Sequence, residues 1–226
     1  MIFDPLYFVF VAPALLLAFI AQTMVSSRYA AASRVSASMT GAQAARRILD
    51  SAGLRNVGIE QTSGHLSDHY DPSAKVLRLS TEVYANASAA SVGIAAHEAG
   101  HAIQDAVHYK PMVLRSLAVP LASFGSNTAF ILFFIGLFVQ ALSFLAWVGI
   151  VFFSFVVIFQ VITLPVEFNA STRAKQQLAA MGIVSNEQGY HVNKVLSAAA
   201  LTYVAGTLMA VLQLLYLLRL VSQSRD

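Results

Sequence analysis

The chain has no cysteine. That excludes disulfides and removes thiolates from any metal site, leaving His, Asp and Glu as ligands. Charge is scarce too: Asp, Glu, Lys and Arg make up 11% of the 226 residues, where a soluble domain carries about 25%. No charged residue stands between Arg115 and Glu167. There is no Lys/Arg run and no basic stretch interleaved with aromatics, which argues against a nucleic-acid partner. No basic residue precedes the first apolar run, and no small-residue cleavage site follows it. That run therefore reads as an uncleaved anchor rather than a secretion signal.

What the chain has in quantity is apolar sequence, 57% of it. A membrane span needs about 20 mostly apolar residues. Leu6 to Met24 qualifies, and so does Ala198 to Leu218. The uncharged stretch from Ser116 to Val166 is too long for one crossing and suits two, with a turn expected near Gln140 to Ser143. Four spans put the two long intervening loops on the same side. Of the 14 Lys and Arg residues, only Arg219 and Arg225 lie outside those loops. Arg28, Arg34, Lys110 and Arg115 flank span ends closely enough to count, so the positive-inside bias makes that side the cytosol.

The loops carry their own patterning. Thr40 before an apolar face of Ala42, Ala45, Ile48 and Leu49, with Gly53 after it, predicts a capped helix. Val57 and Ile59, and then Val76, Leu77 and Leu79 after the turn "DPSA", predict a small hairpin or edge sheet, with Ser80 capping a short helical piece. A longer helix is expected from near Ala87 to about His108, stopped by Pro111. A separate helix is expected over "PVEFNASTRAKQQLAAMG", ended by Gly182.

The longer loop helix holds "HEAGH", His97 to His101. An α-helix turns about 100° per residue, so residues four apart stand about 40° apart on one face. His97 and His101 can therefore chelate one ion. Glu98, displaced by about 100°, can instead reach a water held there, take its proton and pass it to a leaving amine. This is the mechanical content of the H-E-x-x-H pattern. A catalytic zinc site usually has three protein ligands and an open position. The remaining candidates for the third are His65, His69, His108, His191, Glu60, Glu82, Glu167 and Glu187. Glu167 stands out as the first charge after the apolar stretch, two residues past Pro165, on the same side of the membrane as the histidines. The plainer alternative is an ordinary interfacial carboxylate.

The stretches "ARRILDSAGL", "GHLSDHYDP", "AAHEAGHAIQDA", "LPVEFNAS" and "VLSAAALTYVAGTL" resemble the YugP-type neutral zinc metallopeptidases, a family of multi-pass bacterial membrane proteins. The resemblance implies zinc at His97 and His101, Glu98 as general base and Glu167 as third ligand. The layout is also similar to that of the Glu-zincin proteases, in which aspartate often stands four residues after the ligand glutamate. Here that place is Ser171, which puts the usual contact there in question.

Weaker expectations attach to neighbouring residues. Asp105 could accept the second ring hydrogen of His101, with a solvated helix-end carboxylate as the plainer reading. His65, Asp68, His69 and Asp71 would line a substrate cleft or hold an edge strand, with a polar turn as the plainer reading. His191, Tyr190 and Tyr203 are candidates to stabilise an oxyanion, and Arg173 to orient Glu167.

The expected fold is mainly α: a multi-pass α-helical membrane protein of about four spans with a small zincin-like α+β cytosolic portion. The expected division is an anchor at 1–26, a zincin-like cytosolic region at 27–116, a membrane hairpin at 117–165, a cytosolic helix with the third ligand at 166–197, and a last span and tail at 198–226. The expected function is a zinc-dependent endopeptidase of the cell (inner) membrane. It would act on protein or peptide substrates, membrane-associated ones included, with Zn2+ as cofactor and the bilayer as surroundings. The alternative is a non-enzymatic scaffold with a structural zinc, which needs the ligands but has no use for Glu98. A metal carrier fits less well, because the spans show no ionisable residues to form a pathway.

Overall fold

A computed structural model describes residues 5–223; Asp4 and Arg225 lie outside them. The order is α1 (Pro5–Ser33), α2 (Gly41–Ser51), β1 (Gly58–Thr62), β2 (His69–Asp71), β3 (Val76–Ser80), α3 (Thr81–Ala85), α4 (Ala89–Ala106), α5 (Lys110–Phe138), α6 (Phe144–Ala180) and α7 (Asn186–Gln223). The protein is mainly helical with one small sheet. Helices α1, α5, α6 and α7 are long and apolar enough to cross a membrane. A 3₁₀ turn at Gln140–Leu142 joins α5 to α6, where the sequence places the hairpin bend.

The chain divides into two compact units. The first combines residues 1–20, 113–165 and 202–226. Its helices pack through small residues. A Cβ on Gly149 would meet the carbonyl oxygen of Ala129, and one on Gly125 that of Phe152, so glycine allows backbone to approach backbone. Large apolar side chains such as Phe19, Val9, Leu117 and Phe138 are exposed on this unit, Phe19 at 71%. Water would penalise that surface, and lipid tails accept it.

The second unit, residues 21–112 and 166–201, holds the sheet and most of the buried core: Ile48, Leu49, Leu77, Leu79, Val83, Val92, Val166 and Leu178 are fully buried. α2 begins with a complete capping box. The Thr40 hydroxyl accepts from Gln43 N–H at 3.3 Å, and Gln43 Oε1 accepts from Thr40 N–H at 2.9 Å. Two of the orphan amides at the helix start are thereby satisfied.

Local expectations are corrected in three places, the first being the sheet and its borders. The Val57–Ile59 and Val76–Leu79 runs do not form a hairpin with each other. β1 and β3 pair in parallel, and β3 takes β2 as its antiparallel neighbour, in the order β1-β3-β2. The polar stretch around His69 forms the edge strand β2, which buries only Tyr70 and so lacks an apolar alternation. Arg78 joins all three strands, at 2.7 Å from Asp71 and 3.4 Å from Glu60. Ser80 precedes α3 without capping it; its hydroxyl and amide are bonded to Asp68.

Second, Pro111 does not stop α4. That helix ends at Ala106, His108 turns the chain with φ 50°, and Pro111 lies in the first turn of α5. A first-turn proline costs no hydrogen bond, since the amide it lacks would have had no partner. Third, the helix expected after Pro165 is no separate element. α6 runs from the third span through Pro165 to Ala180, and α7 likewise starts at Asn186, well before its apolar part. One proline removes one intrahelical bond, which a helix of 37 residues outlasts.

Candidate metal centre

α4 is built to be buried. Ser88 caps it, accepting from Ser91 N–H at 3.1 Å. Its small residues Ala95, Ala96, Ala99, Gly100 and Ala102 are buried. Gly100 sets its distance from α6: a Cβ there would lie 2.7 Å from the carbonyl oxygen of Ala170. Two consecutive turns of α4 therefore stand directly against the turn of α6 that carries Glu167.

The result is a cluster of three ligand atoms. Glu167 Oε2 lies 3.2 Å from His97 Nε2 and 3.5 Å from His101 Nε2, and one ligand atom from each of the three residues lies within 4.8 Å of the other two. Ligands at about 2.0–2.1 Å around a tetrahedral zinc stand about 3.3 Å apart, so both nitrogen–oxygen separations suit a shared ion. The chemistry agrees. Glu167 is 2% exposed, and a buried carboxylate needs a positive partner. Two imidazole nitrogens and a carboxylate oxygen facing one another need a cation or protons between them. Burial works against a charged ring at His101, but Glu167 and Glu98 outweigh it and hold its proton above the usual histidine range. An arriving metal displaces that proton.

The supports of the two rings differ. His97 Nδ1 lies 3.1 Å from Ser171 Oγ, so serine occupies the contact left in question by the missing aspartate. His101 Nδ1 lies 2.9 Å from Gln104 Oε1. Asp105 does not make that bond; it accepts from Tyr70 OH at 2.7 Å and from Lys75 Nζ at 2.5 Å. The rotation from residue to residue carries its carboxylate to the sheet side of α4. Arg173 Nε donates to Asn169 Oδ1 at 2.7 Å.

Gln104 is the residue that sequence reasoning missed. It is completely buried and bonded to Val166 O and Asn169 as well as His101. The signal was a third polar residue on the histidine stripe, seven positions after His97 and so within about 20° of it.

The other candidates sit elsewhere. His65 pairs with Glu82 at 3.1 Å, and Glu82 also accepts from Tyr29 OH at 2.8 Å. His69 contacts Ser67 O, His108 lies in the turn after α4, and Glu187 lies in the first turn of α7. Asp68 is held by Ser80, and its carboxyl is raised above the usual range chiefly by burial, with the charge of Glu98 adding to it. Glu98 is itself buried, 8% exposed. Tyr190 is exposed, with Lys194 over its ring, and Tyr203 falls in the first unit.

Comparison with known proteins meets this geometry. A family described as "Putative neutral zinc metallopeptidase" matches residues 7–222. The chain belongs to that family. It is also 47% identical over 215 residues to the "Putative membrane protease YugP" of Bacillus subtilis (strain 168), covering 94% of this chain and 95% of that protein. No solved structure matches the chain. Family and geometry agree on the cofactor: a zinc-peptidase fold carries a buried His/His/Glu group positioned to bind a metal ion.

Proposed function

We propose that this membrane protein is a zinc endopeptidase of the H-E-x-x-H type, with His97, His101 and Glu167 as ligands and Glu98 as general base. The single observation that supports it best is the convergence of those three ligand atoms beside a nearly buried Glu98. Among the described residues no fourth His, Asp or Glu joins the three, and three ligands with an open position is the catalytic pattern. Zinc held there supplies an acidified water and an electrophile for the peptide carbonyl. Glu98 takes the water's proton and delivers it to the leaving amine. Its partial burial suits that shuttle, because a carboxylate shielded from bulk water passes its proton to the amine rather than to solvent.

The site faces the cytosol in this reading, at the surface of the cell (inner) membrane. The lysines and arginines around the span ends support that side. Substrates are proteins or peptides, including membrane-associated ones. The test is purified full-length Glu98→Gln, assayed for zinc content and for cleavage of an unfolded protein substrate. Zinc is retained at the wild-type level and cleavage falls by about 10²–10⁴-fold, the usual worth of general acid–base catalysis. Cleavage at the wild-type rate would remove Glu98 from the mechanism.

A further inference from the structure

A neutral imidazole offers a metal only the nitrogen that lacks a hydrogen, so something must decide which nitrogen that is. For His101 the decision can be followed backwards through α6. A guanidinium only donates, and Arg173 Nε gives its hydrogen to Asn169 at 2.7 Å. The amide of Asn169 must therefore turn its oxygen that way. The same oxygen lies 3.0 Å from Gln104 Nε2. The carbonyl oxygen of Val166, which only accepts, lies 2.8 Å from the same nitrogen. Two acceptors thus hold the NH₂ end of Gln104 in place. Its oxygen is left pointing at His101 Nδ1, 2.9 Å away. An amide oxygen has no hydrogen to give, so Nδ1 must carry one. The lone pair is then on Nε2, the nitrogen turned toward Glu167.

Flipping the Gln104 amide would set its oxygen against the Val166 carbonyl oxygen with no proton between them. Gln104 is 0% exposed, so water cannot repair that mismatch. His97 has no such chain: the Ser171 hydroxyl at its Nδ1 can donate or accept, and leaves either tautomer open.

We propose that Arg173, Asn169 and Gln104 form a polarity relay that locks neutral His101 in its Nδ1–H tautomer, holding Nε2 open for the metal. The inference rests on the reading of His97, His101 and Glu167 as the zinc site. The three are positioning residues; they act on the metal only through His101. Because Gln104 stands on α4 and the other two on α6, the relay also fixes the register of the two ligand-bearing helices.

The experiment uses the full chain in detergent micelles, labelled with ¹⁵N in its histidine rings. It reads which ring nitrogen carries the hydrogen, how fast that hydrogen exchanges with water, and the zinc affinity by competition with a chelator. Zinc-loaded wild type shows His101 protonated at Nδ1 and slow to exchange. Gln104→Met and Asn169→Leu speed that exchange and weaken zinc binding by about tenfold or more, the usual cost of losing a ligand's hydrogen-bond partner. Asn169→Asp keeps an acceptor facing both Arg173 and Gln104, and so keeps the slow Nδ1–H and an affinity within about twofold of wild type. Arg173→Met, at a residue outside the three-ligand group, shifts the exchange rate in the same direction as Asn169→Leu. A His101 hydrogen on Nε2, or an Asn169→Asp protein as impaired as Asn169→Leu, overturns the relay and leaves simple helix packing. Should wild type bind no zinc, the metal-site reading fails by itself. The zinc-free protein then decides the relay through the Nδ1 hydrogen facing Gln104: slow exchange in wild type and faster exchange in Gln104→Met uphold it, and equal exchange in the two sinks it.

Discussion

Replacing Gly100 by alanine adds one methyl group where two helices meet. That methyl would stand 2.7 Å from the carbonyl oxygen of Ala170 and 3.3 Å from its carbonyl carbon and Cα. Carbon–oxygen contacts of this kind settle at about 3.3–3.6 Å, so α4 and α6 must part by about 0.6 Å or more. The cost to folding is modest. Overpacking costs about 1–3 kcal/mol, and alanine recovers about 1 kcal/mol of helix propensity over glycine. The cost to the site is larger in proportion. His97 and His101 ride on α4 and Glu167 on α6, and metal–ligand distances tolerate only about 0.2 Å. Zinc affinity should therefore fall at least about tenfold, or about 1.4 kcal/mol, while the zinc-free protein keeps most of its thermal stability. Competition with a graded chelator measures the first, and a zinc-free melt the second. An alanine variant that binds zinc within about twofold of wild type would refute the claim that this close approach sets the ligand geometry.

Three further outcomes are expected. Ser171→Ala, which removes the hydroxyl 3.1 Å from His97 Nδ1, should weaken zinc binding by about tenfold; equal affinity in the same competition assay would mean that His97 needs no partner there. The Asp71 carboxyl is held down at about 2 by its hydrogen bond to Arg78 and by the Ala74 amide, so its contribution is whole above the unfolded-chain value of about 3.9. It is lost as the pH falls from there toward 2. Amide exchange in β2 and β3 should accelerate over that range in wild type, and Asp71→Asn should abolish the acceleration; an unchanged profile would remove Asp71 from the sheet's pH response. Because the chain has no cysteine, a single Ser73→Cys on the exposed turn before β3 reports orientation cleanly. An impermeant maleimide should label it only after intact cells are permeabilised, and labelling in intact cells would reverse the proposed topology.

Much of the molecule could be read from local pattern. Span number follows from long apolar runs, because lipid selects for length and apolarity alone. The α2 cap at Thr40 was legible because a threonine stands directly before an apolar helical face; that Gln43 completes a capping box came from the structure. The pair His97 and His101 was legible because helical geometry puts residues four apart on one face. Local pattern failed where an element is short or continues past its signal. β2 has three residues and buries one, too few for a period, and the parallel pairing of β1 with β3 depends on a chain reversal that neither run encodes. The continuity of α6 through Pro165 was missed because a proline's local cost is easier to read than the support a long helix gives it.

The sequence alone therefore determined which residues are able to hold an ion and how many helices can lie in a bilayer, since spacing along one helix is a matter of covalent geometry. Only the tertiary structure decided that Glu167 reaches the two histidines. That meeting depends on the backbone approach allowed at Gly100. It also decided that Ser171 and Gln104, rather than Asp105, stand behind the rings, because hydrogen-bond partners from another helix are chosen by packing distance and direction, which no spacing in the chain records.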